Sequence, residues 1–185
     1  MLRFSRLTTL CCALPLTLGL ALSAQAASPS VDKLVELSTQ RLLLADQVAA
    51  SKAQTGKAVE DTAREAEQLS LLSAHAQTHH LSPERVEAFF RWQMEANKLV
   101  QYQLLATPQA SNGETPMELE EIRTQLNLLN QELLQTLAPA LAELQQGNCS
   151  EQLYGAIEAQ AEQQKLDALH RNALIRAFGD SCRGF

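Results

Sequence analysis

Residues 31–52 read VDKLVELSTQRLLLADQVAASK, and their apolar positions recur every three or four residues, the period of one helix face. Two positions on that face carry cations where leucine would be expected, namely Arg41 and Lys52. A buried charge without a partner is costly, so these two side chains indicate an anionic partner. The apolar members of the same stripe are Leu34, Leu37, Leu44 and Val48.

The next two predicted helices also place polar side chains on their inward faces. No comparable set of inward carboxylates is visible in the sequence to neutralise the cations. The pattern therefore predicts a pocket for a small polyanionic ligand. Its polar residues are Asp61, Arg64 and Gln68 on the second helix, and Asn97 and Gln101 on the third.

Arg41 and Lys52 are 11 residues apart. On an α-helix this leaves them about 20° out of line and about 16 Å apart. A small ligand with a ring would fit between the two side chains. The guanidinium of Arg41 is suited to a carboxylate at one end of the ligand, and the ammonium of Lys52 is a point-charge donor at the other. For either residue alone, the alternative is a solvated side chain. Their joint occurrence argues against it.

The N-terminus has the features of an export signal. Arg3 and Arg6 precede an apolar run over residues 10–22 that is short for a membrane span. A motif of small residues ends at Ala26, so residues 1–26 are predicted to be a signal peptide that is cleaved near Ala26. The alternative is a retained signal anchor. Cleavage would make the protein periplasmic or secreted, with no membrane segment.

Cys11 and Cys12 lie inside the predicted signal and would leave with it. The remaining pair, Cys149 and Cys182, would then reside in an oxidising compartment, where a disulfide is the expected outcome. The alternative is two free buried thiols. No metal site is predicted, because two distant cysteines do not form a recognisable ligand set.

Signal cleavage removes two of the 15 basic residues and none of the 21 acidic ones, which leaves a net charge of −8. Such a surface repels nucleic acid and excludes it as a partner. The inward cations therefore form a local positive pocket on an acidic protein.

The mature chain of 159 residues is long enough for one domain with a hydrophobic core. Helical periodicity in nearly every long segment predicts an all-α fold, a single helical-bundle domain over residues 27–185. Its predicted parts are the site-bearing helices in 27–105, a loop over 106–115 and the C-terminal helices in 116–185.

Capping signals set the expected helix bounds. Ser30 is the expected cap of a first helix that ends before Thr55-Gly56, and a second helix is expected over 57–78. Ser82-Pro83 opens the third and Thr115-Pro116 the fourth.

The last helix is expected over residues 150–178, between the two cysteines. A straight helix of that length would span about 42 Å, which a disulfide cannot cross. A break is therefore predicted at residues 163–167.

In charge type, order and spacing, the polar set resembles the all-helical chorismate mutases, in particular their secreted, disulfide-containing subclass. The resemblance spans nearly the whole mature chain, and Cys149 and Cys182 fit the secreted subclass. The residues that carry it are Arg41, Lys52, Asp61, Arg64, Gln68, the segment 90–97 (FRWQMEAN) and Gln101-Tyr102.

The resemblance implies conversion of chorismate to prephenate, a [3,3] rearrangement of a dianion without cofactor or covalent intermediate, and a homodimer. Arg41 would bind the carboxylate of the enolpyruvyl side chain, and Arg64 would help to hold it. Lys52 and Gln101 would donate hydrogen bonds to the ether oxygen, where negative charge grows. Asn97 would lie near a substrate carboxylate.

The same resemblance assigns the ring hydroxyl to Asp61 and Gln68, with Glu65 as a competitor. One position departs from the secreted relatives, which carry an arginine for the second carboxylate near Glu132. Arg123, more than two turns earlier on the same helix, is the nearest candidate for that contact.

Two other functions remain open from the sequence. An acidic, exported helical chain is also compatible with a non-enzymatic binding or chaperone-like module, although such a helix would carry its polar residues outward. A regulatory relative that binds an aromatic amino acid is not supported by a second-site motif.

Overall fold

The computed structural model describes residues 29–107 and 117–183. All regular structure in these stretches is helical, which confirms the predicted all-α class. No described helix combines the length and the apolar character needed to cross a bilayer. The predicted signal peptide and most of the predicted loop lie outside the described residues. The elements are α1 (Pro29–Thr55), α2 (Thr62–Ala74), a 3₁₀ turn (Ala76–His79), α3 (Pro83–Ala106), α4 (Leu119–Leu144), α5 (Cys149–Gln163) and α6 (Ala168–Ala177).

Helix α1 lies at the centre of the bundle and packs against α3, α4, α5 and α6. The inward stripe predicted for this helix begins with Leu34 and Leu37, and both are fully buried. They belong to one continuous core with Phe90 from α3, Leu133 from α4 and Leu174 from α6. Because α1 packs against four other helices, side chains from several helices can reach a polar group on its inward face.

The first turn of α1 is capped by a distant helix. Ser30, the predicted cap, instead lies inside α1, which begins at Pro29. The Glu143 carboxylate of α4 accepts hydrogen bonds from the backbone N–H groups of Ser30 and Val31 at 3.2 and 3.1 Å. A carboxylate there satisfies free donors and complements the helix dipole. At the other end, the helix runs to Thr55, one residue beyond the predicted end, and Gly56 follows it in a left-handed conformation (φ 65°).

Helix α2 begins at Thr62 and not at the predicted residue 57. The reason is Asp61, whose carboxylate accepts a hydrogen bond from the Arg64 backbone N–H at 3.2 Å and so caps the helix. Residues 57–61 therefore form a non-helical connection between α1 and α2. This connection also borders a cavity between the helices.

Helix α4 also begins later than predicted, at Leu119. The predicted cap at Thr115-Pro116 lies outside the described residues. The backbone N–H of Met117 donates to the side chain of Gln47 on α1 at 3.1 Å, which holds Met117 outside the helix. A tertiary hydrogen bond thus satisfies the Met117 N–H just before the helix begins.

The predicted break in the last helix is confirmed, because α5 ends at Gln163 and α6 begins at Ala168. Lys165 adopts a left-handed conformation between them, with φ 52°. The Cys149–Cys182 disulfide is confirmed as well, with Cα atoms 5.7 Å apart. Folding back at the break brings the start of α5 next to the chain that follows α6.

A histidine bridge fastens α6 to α1. The ring of His170 lies 3.0 Å from the Asp46 carboxylate through Nε2 and 2.8 Å from the Asp167 carboxylate through Nδ1. Both nitrogens can donate only when the imidazole is protonated. The hydrogen bond to Asp46, reinforced by Asp167 and opposed by burial, raises the pKa of His170 to about 9.

Reduction of the disulfide should lower the melting temperature by several degrees while leaving the helical content of the folded protein unchanged. The bond closes a loop across 33 residues, which stabilises a protein by about 4 kcal/mol in the chain-entropy model. Circular dichroism melts with and without reductant measure the effect. A Cys149→Ser/Cys182→Ser variant is the control and should not respond to reductant. Two titratable thiols in native protein would contradict the bond.

The His170 bridge should make stability depend on pH. The folded pKa lies above the unfolded value of 6.5, so its contribution is complete below pH 6.5 and is lost as the pH rises through about 9. Denaturant unfolding from pH 6 to 10 should show a loss of about 1 to 3 kcal/mol, allowing for solvent screening of the carboxylates.

The matched controls for this effect are two glutamine variants. His170→Gln should remove the loss, whereas the same change at the exposed His75 should retain it. Equal losses in His170→Gln and in the parent protein would assign the pH dependence to other groups.

Candidate functional site

A cavity of about 350 Å³ lies between α1, α2, α3 and α4, and the 57–61 connection forms part of its wall. Every binding or catalytic residue predicted from the sequence lines this cavity. Side chains distant in the sequence are thus brought together in one place, although their roles stay predictions. These residues are Arg41, Lys52, Asp61, Arg64, Gln68, Asn97, Gln101 and Arg123.

Arg41 is buried, with 5 % of its surface exposed. Its Nε donates to the Asn130 side-chain oxygen at 2.9 Å, and its Nη1 donates to the Gln93 backbone carbonyl at 3.0 Å. Burial lowers the pKa of the guanidinium to about 10, which still leaves it charged at neutral pH. No carboxylate in the described part of the chain forms an ion pair with Arg41. The cation is therefore held by neutral acceptors only.

Lys52 lies in the last turn of α1, on the same wall as Arg41. Its Nζ donates to the Val59 carbonyl at 2.7 Å, which ties the α1–α2 connection down beside the cavity. Burial lowers the pKa of Lys52, while the carboxylates of Asp61 and Glu65 oppose that shift. One N–H group of the ammonium is used by Val59, and the other two are available to a ligand.

Two side chains of α3 join this wall through their amide groups. The Gln101 amide nitrogen donates to the Asn97 side-chain oxygen at 2.6 Å, and the Asn97 amide donates to the Arg41 carbonyl at 3.5 Å. The side-chain oxygen of Gln101 is buried and has no hydrogen-bond partner among residues 29–107 and 117–183. A buried orphan of this kind is uncommon and is often found where a ligand binds.

The residues of α2 reach the cavity from the opposite side. Asp61 has the structural role of capping α2, and it also borders the cavity. Arg64 and Gln68 follow at helical spacing and are half-buried. The Arg64 guanidinium makes no hydrogen bond or ion pair with another described residue. It is thus an available cation in the same cavity as Arg41.

Arg123 reaches the cavity from α4, where it forms an ion pair with Glu120 at 3.3 Å. Glu132, the acidic residue near which the secreted relatives were expected to have an arginine, is exposed and does not line the cavity. The acid therefore does not place a negative charge in the site.

Lys98 was not among the predicted site residues, but it lines the cavity and is almost buried. Its ammonium lies 2.7 Å from Glu95, 3.1 Å from Glu65 and 3.7 Å from Glu60. Burial lowers the pKa of Lys98, but the hydrogen bonds with Glu95 and Glu65 outweigh it and hold the pKa above its usual range. Inward carboxylates therefore do exist, contrary to expectation, but they neutralise Lys98 and not Arg41. Its spacing from Gln101 and Met94 on α3 was the available signal.

The cavity carries more positive than negative charge on a chain whose net charge is −6. Three carboxylates of the described residues line it, from Glu60, Asp61 and Glu65. Cations focused in a low-dielectric cleft attract and orient a small polyanion. The cations that line it are Arg41, Lys52, Lys57, Arg64, Lys98 and Arg123.

Several known proteins that are similar to this chain are described as chorismate mutases. Residues 32–102 match the family model for chorismate mutase type II. A secreted chorismate mutase from Mycolicibacterium smegmatis is 33% identical over 165 residues, which cover 87% of this chain and 90% of the relative. The crystal structure of a chorismate mutase from Burkholderia phymatum has 35% identity and a TM-score of 0.73, covering 86% of this chain and 99% of that one. Another from Burkholderia thailandensis has 30% identity and a TM-score of 0.77, covering 83% and 99%.

Proposed function

Because this chain belongs to the chorismate mutase family, whose reaction rearranges chorismate to prephenate, we propose that the cavity between α1, α2, α3 and α4 is its active site. The observation that carries this proposal is the buried Arg41, which has no carboxylate partner in the described part of the chain and lines the same cavity as Lys52 and Gln101. A dianionic substrate supplies the missing counter-charge.

Arg41 and Arg64 bind the carboxylate of the enolpyruvyl side chain from opposite walls. Both guanidinium groups suit a carboxylate because their planar forks can donate two parallel hydrogen bonds. Neither guanidinium forms an ion pair in the described structure, so no ion pair has to break before the guanidinium binds the ligand. Binding of this carboxylate selects the compact conformation of the substrate, in which its two reacting ends meet.

Lys52 and Gln101 stabilise the transition state. As the ether bond breaks, negative charge develops on its oxygen, and donors placed there in advance lower the barrier. Lys52 is held by Val59 and Gln101 by Asn97, so neither side chain has to reorganise as the charge grows. The remaining hydrogens of the ammonium and of the amide are the donors.

The other end of the substrate meets α2 and α4. Asp61 and Gln68 receive the ring hydroxyl, and Glu65 is less suited to this role because its carboxylate is bound to Lys98. Arg123 is the proposed partner of the second carboxylate, since it reaches the cavity from α4 while Glu132 does not.

We place the activity outside the cytoplasm. The relative from Mycolicibacterium smegmatis is named a secreted protein, which supports the export signal predicted in this chain and its cleavage near Ala26. The disulfide is consistent with an oxidising compartment. A homodimer is proposed from the family resemblance alone.

Incubation of purified, oxidised mature protein with chorismate tests the proposed function. Loss of the absorbance of chorismate and formation of prephenate are the expected result. Folded, oxidised protein without turnover would overturn the proposal and favour the non-enzymatic helical binding module.

Arg41→Ala and Lys52→Ala should each lower kcat/KM by at least about a hundredfold, the typical loss for a positioned charged donor. Helical content should stay nearly unchanged, because neither residue is a member of the hydrophobic core. Lys33→Ala is the matched control, since Lys33 is an exposed cation on α1 that pairs with Glu36 away from the cavity. Near-normal turnover in either site variant would mean that the active site has been assigned to the wrong face of α1.

Gln101→Glu should convert a pH-independent donor into a pH-dependent one. The amide of the parent does not titrate, whereas glutamate donates only when protonated and repels the developing charge once ionised. The variant should be active in acid and lose activity as the pH rises through the pKa of the new carboxyl.

Turnover from acid to mildly alkaline pH measures this difference, on protein shown to be folded throughout. Gln103→Glu is the control because Gln103 lies on the same helix, is exposed and does not line the cavity. Parallel pH profiles of the parent and Gln101→Glu would mean that Gln101 is not the donor to the ether oxygen.

A further inference from the structure

We propose that Asn130 is a positioning residue for the reaction: its side-chain oxygen orients the Arg41 guanidinium without neutralising it. The inference rests on the proposed function, because it explains why the cation stays available to the substrate. Asn130 does not need to touch the substrate for this role, since it acts through Arg41.

The geometry of Asn130 fits this role. The residue is buried, with 3 % of its surface exposed, and it is the one polar residue among the buried residues of α4. Its oxygen accepts from the Arg41 Nε at 2.9 Å across the interface between α4 and α1. An apolar residue would fill that position in an ordinary helix stripe, so the amide is placed there against the pattern of its own helix.

Two acceptors fix the guanidinium plane. Besides Asn130, the Gln93 carbonyl accepts from Nη1 at 3.0 Å. Gln93 is itself held by its side-chain amide, which donates to the Ser38 hydroxyl at 3.2 Å and to the Ala177 carbonyl at 3.1 Å. A guanidinium has five N–H donors, and these contacts use two of them. No described residue accepts from the other three, which we assign to a ligand in the cavity.

The neutral charge of the amide matters as much as its position. An aspartate at 130 would have nearly the same shape and could accept the same hydrogen bond. It would also form a buried ion pair with Arg41, and a substrate carboxylate would then have to compete with it. Asparagine therefore leaves the free protein with an uncompensated cation, and this is the state that favours binding of a dianion.

Asn130→Asp is the direct test, because it adds the charge while retaining the acceptor. KM for chorismate should rise at least about tenfold with a smaller change in kcat, as expected when uniform binding is lost. The melting temperature of the ligand-free protein should rise. Asn127→Asp is the matched control, because Asn127 lines the same cavity one turn earlier but is exposed and makes no hydrogen bond with Arg41. Its KM should change less and its melting temperature should not rise.

A stability cycle tests the contact without using activity. In an Arg41→Met background, Asn130→Asp should lower the melting temperature, because the buried carboxylate then has no cation. A similar effect of Asn130→Asp in both backgrounds would overturn the proposal, and so would an unchanged KM while the parent turns over chorismate. Failure of Asn130→Asp to fold would also overturn it, since stabilisation is expected. A parent without turnover would instead overturn the proposed function.

Discussion

The constraint on which this structure depends is a guanidinium that is buried in a helical core and that, among residues 29–107 and 117–183, is held only by neutral groups. Arg41 lies on the central helix, and its two acceptors come from α4 and α3. Burying a cation in this way costs stability unless every donor finds a partner or a ligand. The fold meets this demand by making three helices converge on one side chain. The cavity lies where these helices converge, and it gives the free donors of Arg41 room for an anion.

The connection between α1 and α2 completes the site. Lys52 binds its backbone at Val59, and the side chain of Glu60 accepts a hydrogen bond from Tyr102 at 3.2 Å and pairs with Lys98. The last turn of α1 and the second half of α3 thus hold this short segment beside the cavity. Two of the carboxylates that line the cavity, those of Glu60 and Glu65, are paired with Lys98, which limits their repulsion of a dianion. Capping of α2 by Asp61 makes the segment non-helical and lets it follow the wall.

Much of the fold could be predicted because the apolar period of each helix is local information. The cations at Arg41 and Lys52 were visible for the same reason, since they interrupt that period. The break between α5 and α6 followed from the length of a helix compared with the reach of a disulfide. These inferences need only spacing and chemistry along one segment.

The features that the sequence did not reveal are long-range contacts. Glu143 caps α1 from α4, and Gln47 binds the backbone of Met117, so two helix starts depend on residues far away in the chain. Lys98 was not predicted as a site residue, and its three carboxylate partners come from three separate segments. Asn130 could not be connected with Arg41 because 89 residues separate them.

Titration calorimetry with a rigid bicyclic dicarboxylate, shaped like the cyclic transition state, tests most directly whether the Arg41 cavity recognises a dianion. We expect one binding site per chain and an affinity at least about a hundredfold higher than that for chorismate, as is usual for such analogues. The Arg41→Ala protein should lose most of this binding, whereas the Lys33→Ala protein should retain it. Equal binding of the dicarboxylate by the Arg41→Ala and parent proteins would contradict the role of the buried guanidinium.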